Sequence, residues 1–411
     1  MKTLSLRCFS LVLSALLVST ALYGGGFQLN EHGARAMAQG GAWAARAYDA
    51  SAIFFNPAGL GFQNQGSVYL GTTLIMPKVS FYGPVVGDND PNIKNETKMV
   101  DQVFTPINAY ATYPVTDEIH VGIGVINPYG LGTEWDENWV GKYITTKIDL
   151  QTFYFTPTVA YKLNDQLSIG VGASIVTGSV KLKRAKNVIN TDTRVSLDMD
   201  ANTAYGFNAG LLYKINQELS VGVSYRSSVK MDATGSASFN PQFPSLNVVD
   251  DDVSASLELP ATAFVGVAYK VMPNLEFEAD YQYIGWSSYK ELRIDFKKDP
   301  TKNIVSAKNY ENTFIIRVGG EYTLDQLQLR AGYLFDRSPV KTEFVEPLLP
   351  DANRNGFNIG AGYKFTEQLS VDVSYLFLKF DQRKAENTEI VFDGTYNANA
   401  NLLGVNFGYT F

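Results

Sequence analysis

The sequence holds one cysteine, Cys8, and two histidines, His32 and His120. Cys8 lies within the first apolar run, so a chain that loses that run has no thiol and no disulfide. Extracytoplasmic proteins often rely on disulfides; without them a closed strand ladder is a sufficient staple. Two histidines make no convincing metal site, and neither His32 nor His120 falls where an external rim would need a catalytic base. A lipase or protease on a barrel is therefore the weakest class, and no catalytic residue, metal or cofactor is expected. Basic charge is scarce: with Lys2 and Arg7 set aside in the leader, 32 basic residues face 41 acidic ones, a net charge of −9. That excess argues against a nucleic-acid partner. Past the leader, no stretch is long and apolar enough for a transmembrane helix, which needs roughly 20 residues.

The leader itself is a positive start at Lys2 and Arg7, an apolar run over 11–22 and a small-x-small site at Ser19-Thr20-Ala21. Too short to span a bilayer, it reads as a signal peptide over 1–23, with a retained anchor as the alternative. Cys8 is too early to be a lipoprotein cysteine.

What the chain has in quantity is 24 Tyr, 25 Phe and 35 Gly, the composition of strands and turns. Mean hydropathy stays near zero, as it does when lipid-facing and lumen-facing residues alternate. The terminal run Val405-Asn406-Phe407-Gly408-Tyr409-Thr410-Phe411 alternates with period two and ends on an aromatic. It reads as the closing strand of an outer-membrane barrel of a Gram-negative bacterium, with Phe411 serving the barrel-assembly machinery.

Six segments repeat one pattern, an aromatic, a polar turn and a new alternating run, beginning at Tyr113, Tyr161, Tyr213, Tyr269, Tyr322 and Tyr363. Their Asn, Asp, Gln and Glu residues form turns, and the tyrosines fall at one level as an interfacial girdle. Longer polar stretches lie between them, at 82–99, 130–146, 185–194, 235–250, 297–308, 338–352 and 382–399. Six short turns alternating with seven long loops require fourteen antiparallel strands, so the chain is expected to be all-β, a fourteen-stranded transmembrane barrel over 66–411. Strand five turns small residues inward (Ser168, Gly170, Gly172, Ser174) and no arginine ring faces carboxylates. Together these favour a path for a bulky apolar ligand over an aqueous pore.

Residues 24–65 do not alternate. They carry apolar side chains (Phe27, Leu29, Trp43, Ile53, Phe54, Phe55, Leu60) and the turn Asn56-Pro57-Ala58-Gly59. A fourteen-stranded lumen is too wide for its own side chains to fill, so this segment is the right size for a plug. A floppy periplasmic extension is the alternative, and its apolar content argues against disorder.

The stretch Gly26-Phe27-Gln28-Leu29-Asn30-Glu31 and the turn Asn56-Pro57-Ala58 resemble the FadL family of long-chain fatty-acid and hydrocarbon transporters. Later segments agree in order: Asn127-Pro128-Tyr129-Gly130-Leu131, Gly206-Phe207-Asn208-Ala209-Gly210, Tyr225-Arg226-Ser227-Ser228-Val229-Lys230, Phe335-Asp336-Arg337-Ser338-Pro339-Val340 and the terminal strand. The resemblance implies a monomeric barrel with an N-terminal hatch, passive uptake of a long-chain fatty acid or similar hydrophobic compound, and sideways exit into outer-membrane lipid when the hatch rearranges. Each methylene withdrawn from water is worth about 0.8 kcal/mol, which suits such cargo.

The resemblance also implies site residues. Phe27 would reach an inner pocket, and Asn56, Pro57 and Ala58 would serve hatch folding or movement. Pro128 removes a ladder hydrogen bond and Gly130 and Gly132 loosen the same stretch. Asn127, Pro128, Tyr129, Gly130, Leu131 and Gly132 are therefore the expected lateral opening at a strand-three kink, with an ordinary loop start as the alternative. Arg184, Lys308 and Arg293 are the candidate head-group cations, because a carboxylate needs a desolvated partner. The short segment 185–194 departs from fatty-acid members and puts capture affinity and cargo choice in question. The rivals are neutral aromatic or alkane cargo by the same route, and a general porin.

Overall fold

A computed structural model describes residues 25–84, 94–387, 390 and 392–411; the expected signal peptide, 1–23, lies outside them. Alternation builds the wall. The first seven strands are β1 (Ser67–Pro84), β2 (Ile107–Pro114), β3 (Ile119–Ile126, resumed as Gly130–Glu134), β4 (Lys147–Lys162), β5 (Leu167–Val188), β6 (Thr191–Ala201 and Ala204–Lys214) and β7 (Leu219–Arg226 and Val229–Asn240). They are followed by β8 (Asp251–Leu259 and Thr262–Met272), β9 (Leu275–Ile284 and Glu291–Phe296), β10 (Thr313–Leu324), β11 (Leu327–Asp336), β12 (Arg354–Lys364), β13 (Leu369–Phe380) and β14 (Gly394–Thr410). Each pairs antiparallel with its sequence neighbours. β1 pairs with β14 from Ser67↔Thr410 to Tyr82↔Thr395, which closes the ring and leaves no free edge.

The outer face is apolar and exposed, with Val171, Leu211, Val223, Val265, Val318, Ile359, Val373 and Phe407 among its members. No soluble surface sustains such a band, whereas a bilayer requires it. Tyr113, Tyr161, Tyr213, Tyr269, Tyr322 and Tyr363 are all exposed on this face beside the tight turns. Several pair across to a leucine one strand away, as in Tyr213↔Leu167, Tyr269↔Leu219, Tyr322↔Leu275 and Tyr363↔Leu327. Equal register keeps the rings level, so they form a girdle. None of the helices described is long and apolar enough to cross a membrane; the strands do the crossing.

At the opposite end, 185–194 is not a loop. β5 and β6 run on to a two-residue turn at Ile189 and Asn190, whose φ angles of 49° and 61° fit the primed hairpin turn that matches strand twist. Of the residues that read as loop, Lys186 is half-exposed and Asn187 exposed on β5, and Asn190 is in the turn itself. Inside the extended hairpins Leu182, Leu197, Met199, Phe239, Val253 and Phe296 form an apolar core of their own.

Residues 25–65 fold as two short helices, α1 (Ala34–Met37) and α2 (Ala52–Phe55), and a 3-10 turn, Pro57–Phe62. Their contacts go to strands all round the ring: Ala34 N donates to Asn406, Trp43 N to Asp280, Asn358 to Met37 O, Asn208 to Ile53 O and Tyr110 to His32 O. The wall is cut back where this segment touches it, by glycines that are register partners on adjacent strands. A Cβ on Gly170 would meet Pro57 and one on Gly210 would meet Asn56. Gly222 and Gly266 seat Ala44, and Gly319 and Gly332 seat Gln39. This corrects the expectation for strand five: Gly170 and Ser168 make room for Pro57 and Gly61, not for a ligand.

Candidate functional site

The β2–β3 ladder stops at Asn108↔Ile126. Pro128 has no N–H to give, and the Asn127 side chain takes over the missing bonds. Its Oδ1 accepts from Ile107 N at 2.7 Å on β2 and its Nδ2 donates to Thr152 O at 2.6 Å on β4. Above it the backbone of β3 turns to the N-terminal segment instead of to β2. Leu29 N donates to Pro128 O at 2.9 Å and Gly130 N donates to Phe27 O at 3.0 Å. The next backbone bond onto β3 comes from the segment that precedes β2, Val100 N to Glu134 O at 2.8 Å. Between these limits the wall has a window, and the Phe104 ring lies in it, on Gly132; a Cβ there would sit 2.1 Å from the ring.

Behind the window is an apolar cleft, partly open to solvent. Phe27 lies against it, and Leu131 and Leu150 line the side nearest the break. Met199, Met231 and Leu257 line another side; Tyr289 comes from the interruption of β9, and Tyr310 and Leu348 come from the outer connections. Phe27 is fixed by edge contacts to Trp286 at 4.6 Å, Tyr289 at 5.7 Å and Tyr129 at 6.2 Å. Leu131 therefore faces the cleft while Gly132 faces the window.

The expected site residues separate into groups. Asn127, Pro128, Tyr129, Gly130, Leu131 and Gly132 form the break, and Phe27 is bonded to it. Asn56, Pro57 and Ala58 lie elsewhere, buried against β5 and β6. Asn56 Nδ2 donates to Ala44 O at 2.8 Å and Leu211 O at 3.1 Å, and its Oδ1 accepts from Ala58 N at 3.2 Å. The turn is thus a clamp between the segment and the wall.

The three cations also part company. Lys308 lines the cleft, 3% exposed, and is paired with Glu346 while donating to Ser306 Oγ at 3.1 Å. Arg184 lies one step outward of Leu182 on the same face of β5, with its Nε buried and unbonded among the described residues. Arg293 is on the other face of β9 from the cleft-lining Leu292 and Ile294; it is half-exposed and pairs with Asp295 at 3.0 Å. A head group in the cleft cannot reach it. Glu346 and Phe104 carried no sequence signal, since each is an ordinary loop acid or aromatic until the fold brings it to its partner.

His32 donates to Leu29 O and stacks on Phe54, and His120 approaches Gln63 O, so both rings bond to backbone within or against the N-terminal segment. Arg226 of the Tyr225–Lys230 stretch donates to Phe54 O and covers the Phe54 ring.

The family model described as outer membrane protein transport protein (OMPP1/FadL/TodX) matches residues 15–411. The chain belongs to that family. It is 26% identical to a long-chain fatty acid transport protein of Escherichia coli O6:H1, over 98% of each chain. It is also 26% identical to outer membrane protein P1 of Haemophilus influenzae, over 90% of this chain and 91% of that one. Among solved structures, a Pseudomonas aeruginosa FadL homologue superposes with a TM-score of 0.82 at 20% identity, covering 94% of this chain and all of that one. The Pseudomonas putida toluene transporter TodX superposes at 0.73 with 17% identity, over 95% and 99%. These likenesses establish an outer-membrane β-barrel of a Gram-negative transport family, in which the relatives whose names state an activity are transporters or channels.

Proposed function

We propose that this protein takes up long-chain fatty acids or similar hydrophobic compounds passively through the apolar cleft. In this reading residues 24–65 are a hatch, Asn56-Pro57-Ala58 clamps it to the wall, and cargo leaves sideways through the window between β2 and β3 into the bilayer. One observation carries the reading: Phe27 borders the cleft while its carbonyl holds Gly130 at the break. Occupancy of the cleft is thereby tied to the state of the window. Arg184, outward of the cleft, is the cation placed to meet a carboxylate on its way in, and Phe411 is the handle for barrel assembly of a monomer.

The test is uptake of labelled oleate and labelled hexadecane by cells with and without the protein, beside planar-bilayer conductance of the purified barrel. Protein-dependent uptake with almost no ion conductance is expected. Large stable conductance without uptake of either compound would sink the reading in favour of a porin. Uptake of hexadecane alone would select the neutral-hydrocarbon alternative.

A further inference from the structure

Within the cleft wall Lys308 and Glu346 bring opposite charges into an otherwise apolar surface. Both side chains are nearly sealed from solvent, 3% and 8% exposed. The ammonium is already engaged twice, by the Glu346 carboxylate and by Ser306 Oγ at 3.1 Å. Lys308 is held in place by its own backbone, whose N–H donates to Lys290 O at 2.7 Å. Glu346 comes from the connection between β11 and β12, where Leu349 N closes a turn onto its carbonyl at 3.2 Å. Neither group is a loose surface charge that can swing into water.

A fatty-acid carboxylate entering this cleft would have to compete with Glu346 for Lys308. If it won, Glu346 would remain buried without its counter-ion, and breaking a buried pair by removing one partner is strongly unfavourable. A cationic head group meets the same difficulty with the signs exchanged. A neutral molecule disturbs nothing: it buries its chain against Leu131, Leu150, Met231 and Leu257 and leaves the pair intact. Tyr289 and Tyr310 supply hydroxyls for an uncharged polar end. Arg184 does not alter this balance, because it does not line the cleft.

From this arrangement we propose that Glu346 is the specificity-determining residue of the cleft, a resident carboxylate that occupies Lys308 and reserves the seat for uncharged hydrophobes. The proposal rests on the transport reading above and narrows its substrate class to neutral long-chain or aromatic molecules. The Glu346 carboxylate stands where a cargo carboxylate would otherwise go.

Competition binding to the purified full-length barrel in detergent at pH 8 tests it, with palmitate and 1-hexadecanol as equal-length probes. On the wild-type protein hexadecanol is expected to out-compete palmitate at least tenfold. Glu346→Gln frees the ammonium and should shift that preference at least tenfold toward palmitate, and adding Lys308→Met should abolish the shift. Palmitate binding to wild type as tightly as hexadecanol overturns the proposal, and this readout needs no variant to fold. A preference unchanged in a folded Glu346→Gln protein overturns it equally. Binding of neither probe removes the transport reading itself, and the proposal with it, an outcome distinct from palmitate winning.

Discussion

Gln28 and Tyr129 face one another as an isolated antiparallel bridge, flanked by the bonds from Leu29 N to Pro128 O and from Gly130 N to Phe27 O. A pair flanked in this way is the non-hydrogen-bonded kind, whose Cα atoms stand about 4.5 Å apart, within reach of a disulfide. The only native cysteine is Cys8 in the leader, so Gln28→Cys with Tyr129→Cys introduces a single crosslink between the N-terminal segment and the strand-three break. Detaching the segment there breaks two backbone hydrogen bonds at about 1 kcal/mol each. It also uncovers Phe27, which adds about 2 kcal/mol. The total of about 4 kcal/mol corresponds to an open population of about one molecule in a thousand, each factor of ten being worth about 1.4 kcal/mol. The crosslink removes that population. Uptake of whichever labelled hydrophobe the wild type carries should fall at least tenfold on oxidation and recover on reduction. Tyr129→Cys also loses the hydroxyl bond to Pro260 O, so the comparison is between the two redox states of one variant, with each single cysteine as control. Full crosslinking, shown by a gel shift, with uptake equal to that of the reduced protein would refute a hatch that moves away from the break.

Gly222→Val places a side chain where Ala44 O now lies 1.9 Å from the Cβ position. Overpacking of this kind costs about 1–3 kcal/mol, so the variant should insert as a barrel but acquire stable conductance in planar bilayers as the segment unseats. Phe104→Ala empties the window over Gly132 and should speed hydrophobe uptake several-fold; slower uptake would show that the ring guides cargo. Asp351, outside the membrane-spanning strands, accepts from Gly26 N at 2.9 Å, and burial pushes its carboxyl up to about 7. A carboxyl raised in the folded state holds a proton there that the unfolded chain has lost. Stability therefore falls as pH rises from about 4 to about 7 and is flat above, by on the order of 4 kcal/mol at most. The thermal midpoint should be higher at pH 5 than at pH 8, and Asp351→Asn should remove most of that difference.

The wall was legible because its signals repeat. Six tyrosines beside six polar turns set the strand count, and equal register across the ladder places the rings at one level in the structure. The interruption of β3 could also be expected, since a missing N–H at Pro128 and flexible glycines beyond it act through local backbone chemistry. The outer hairpin was misread for an equally local reason. Lys and Asn at 185–194 are as compatible with an exposed strand above the membrane as with a loop, and only the positive φ of Ile189 and Asn190 marks the turn. Strand five's glycines misled more deeply, because smallness states that something approaches without stating what.

The site itself turned on distances through space that no local pattern carries. Lys308 stood out in the sequence as a cation near the expected head-group position, and the structure does put it in the cleft wall. Its partner, however, is Glu346, 38 residues later on a different connection. Taken alone, Lys308 argues for an acid cargo; taken with Glu346 it argues for a neutral one, because the cost of stranding a buried carboxylate exceeds the gain from adding another. Arg293 shows the converse, since a single step along β9 turns a plausible ligand cation to the outer face. In a barrel, where neighbours in sequence point to opposite sides of the wall, the chemistry of a site is decided by parity and by partners, and residue type only proposes it.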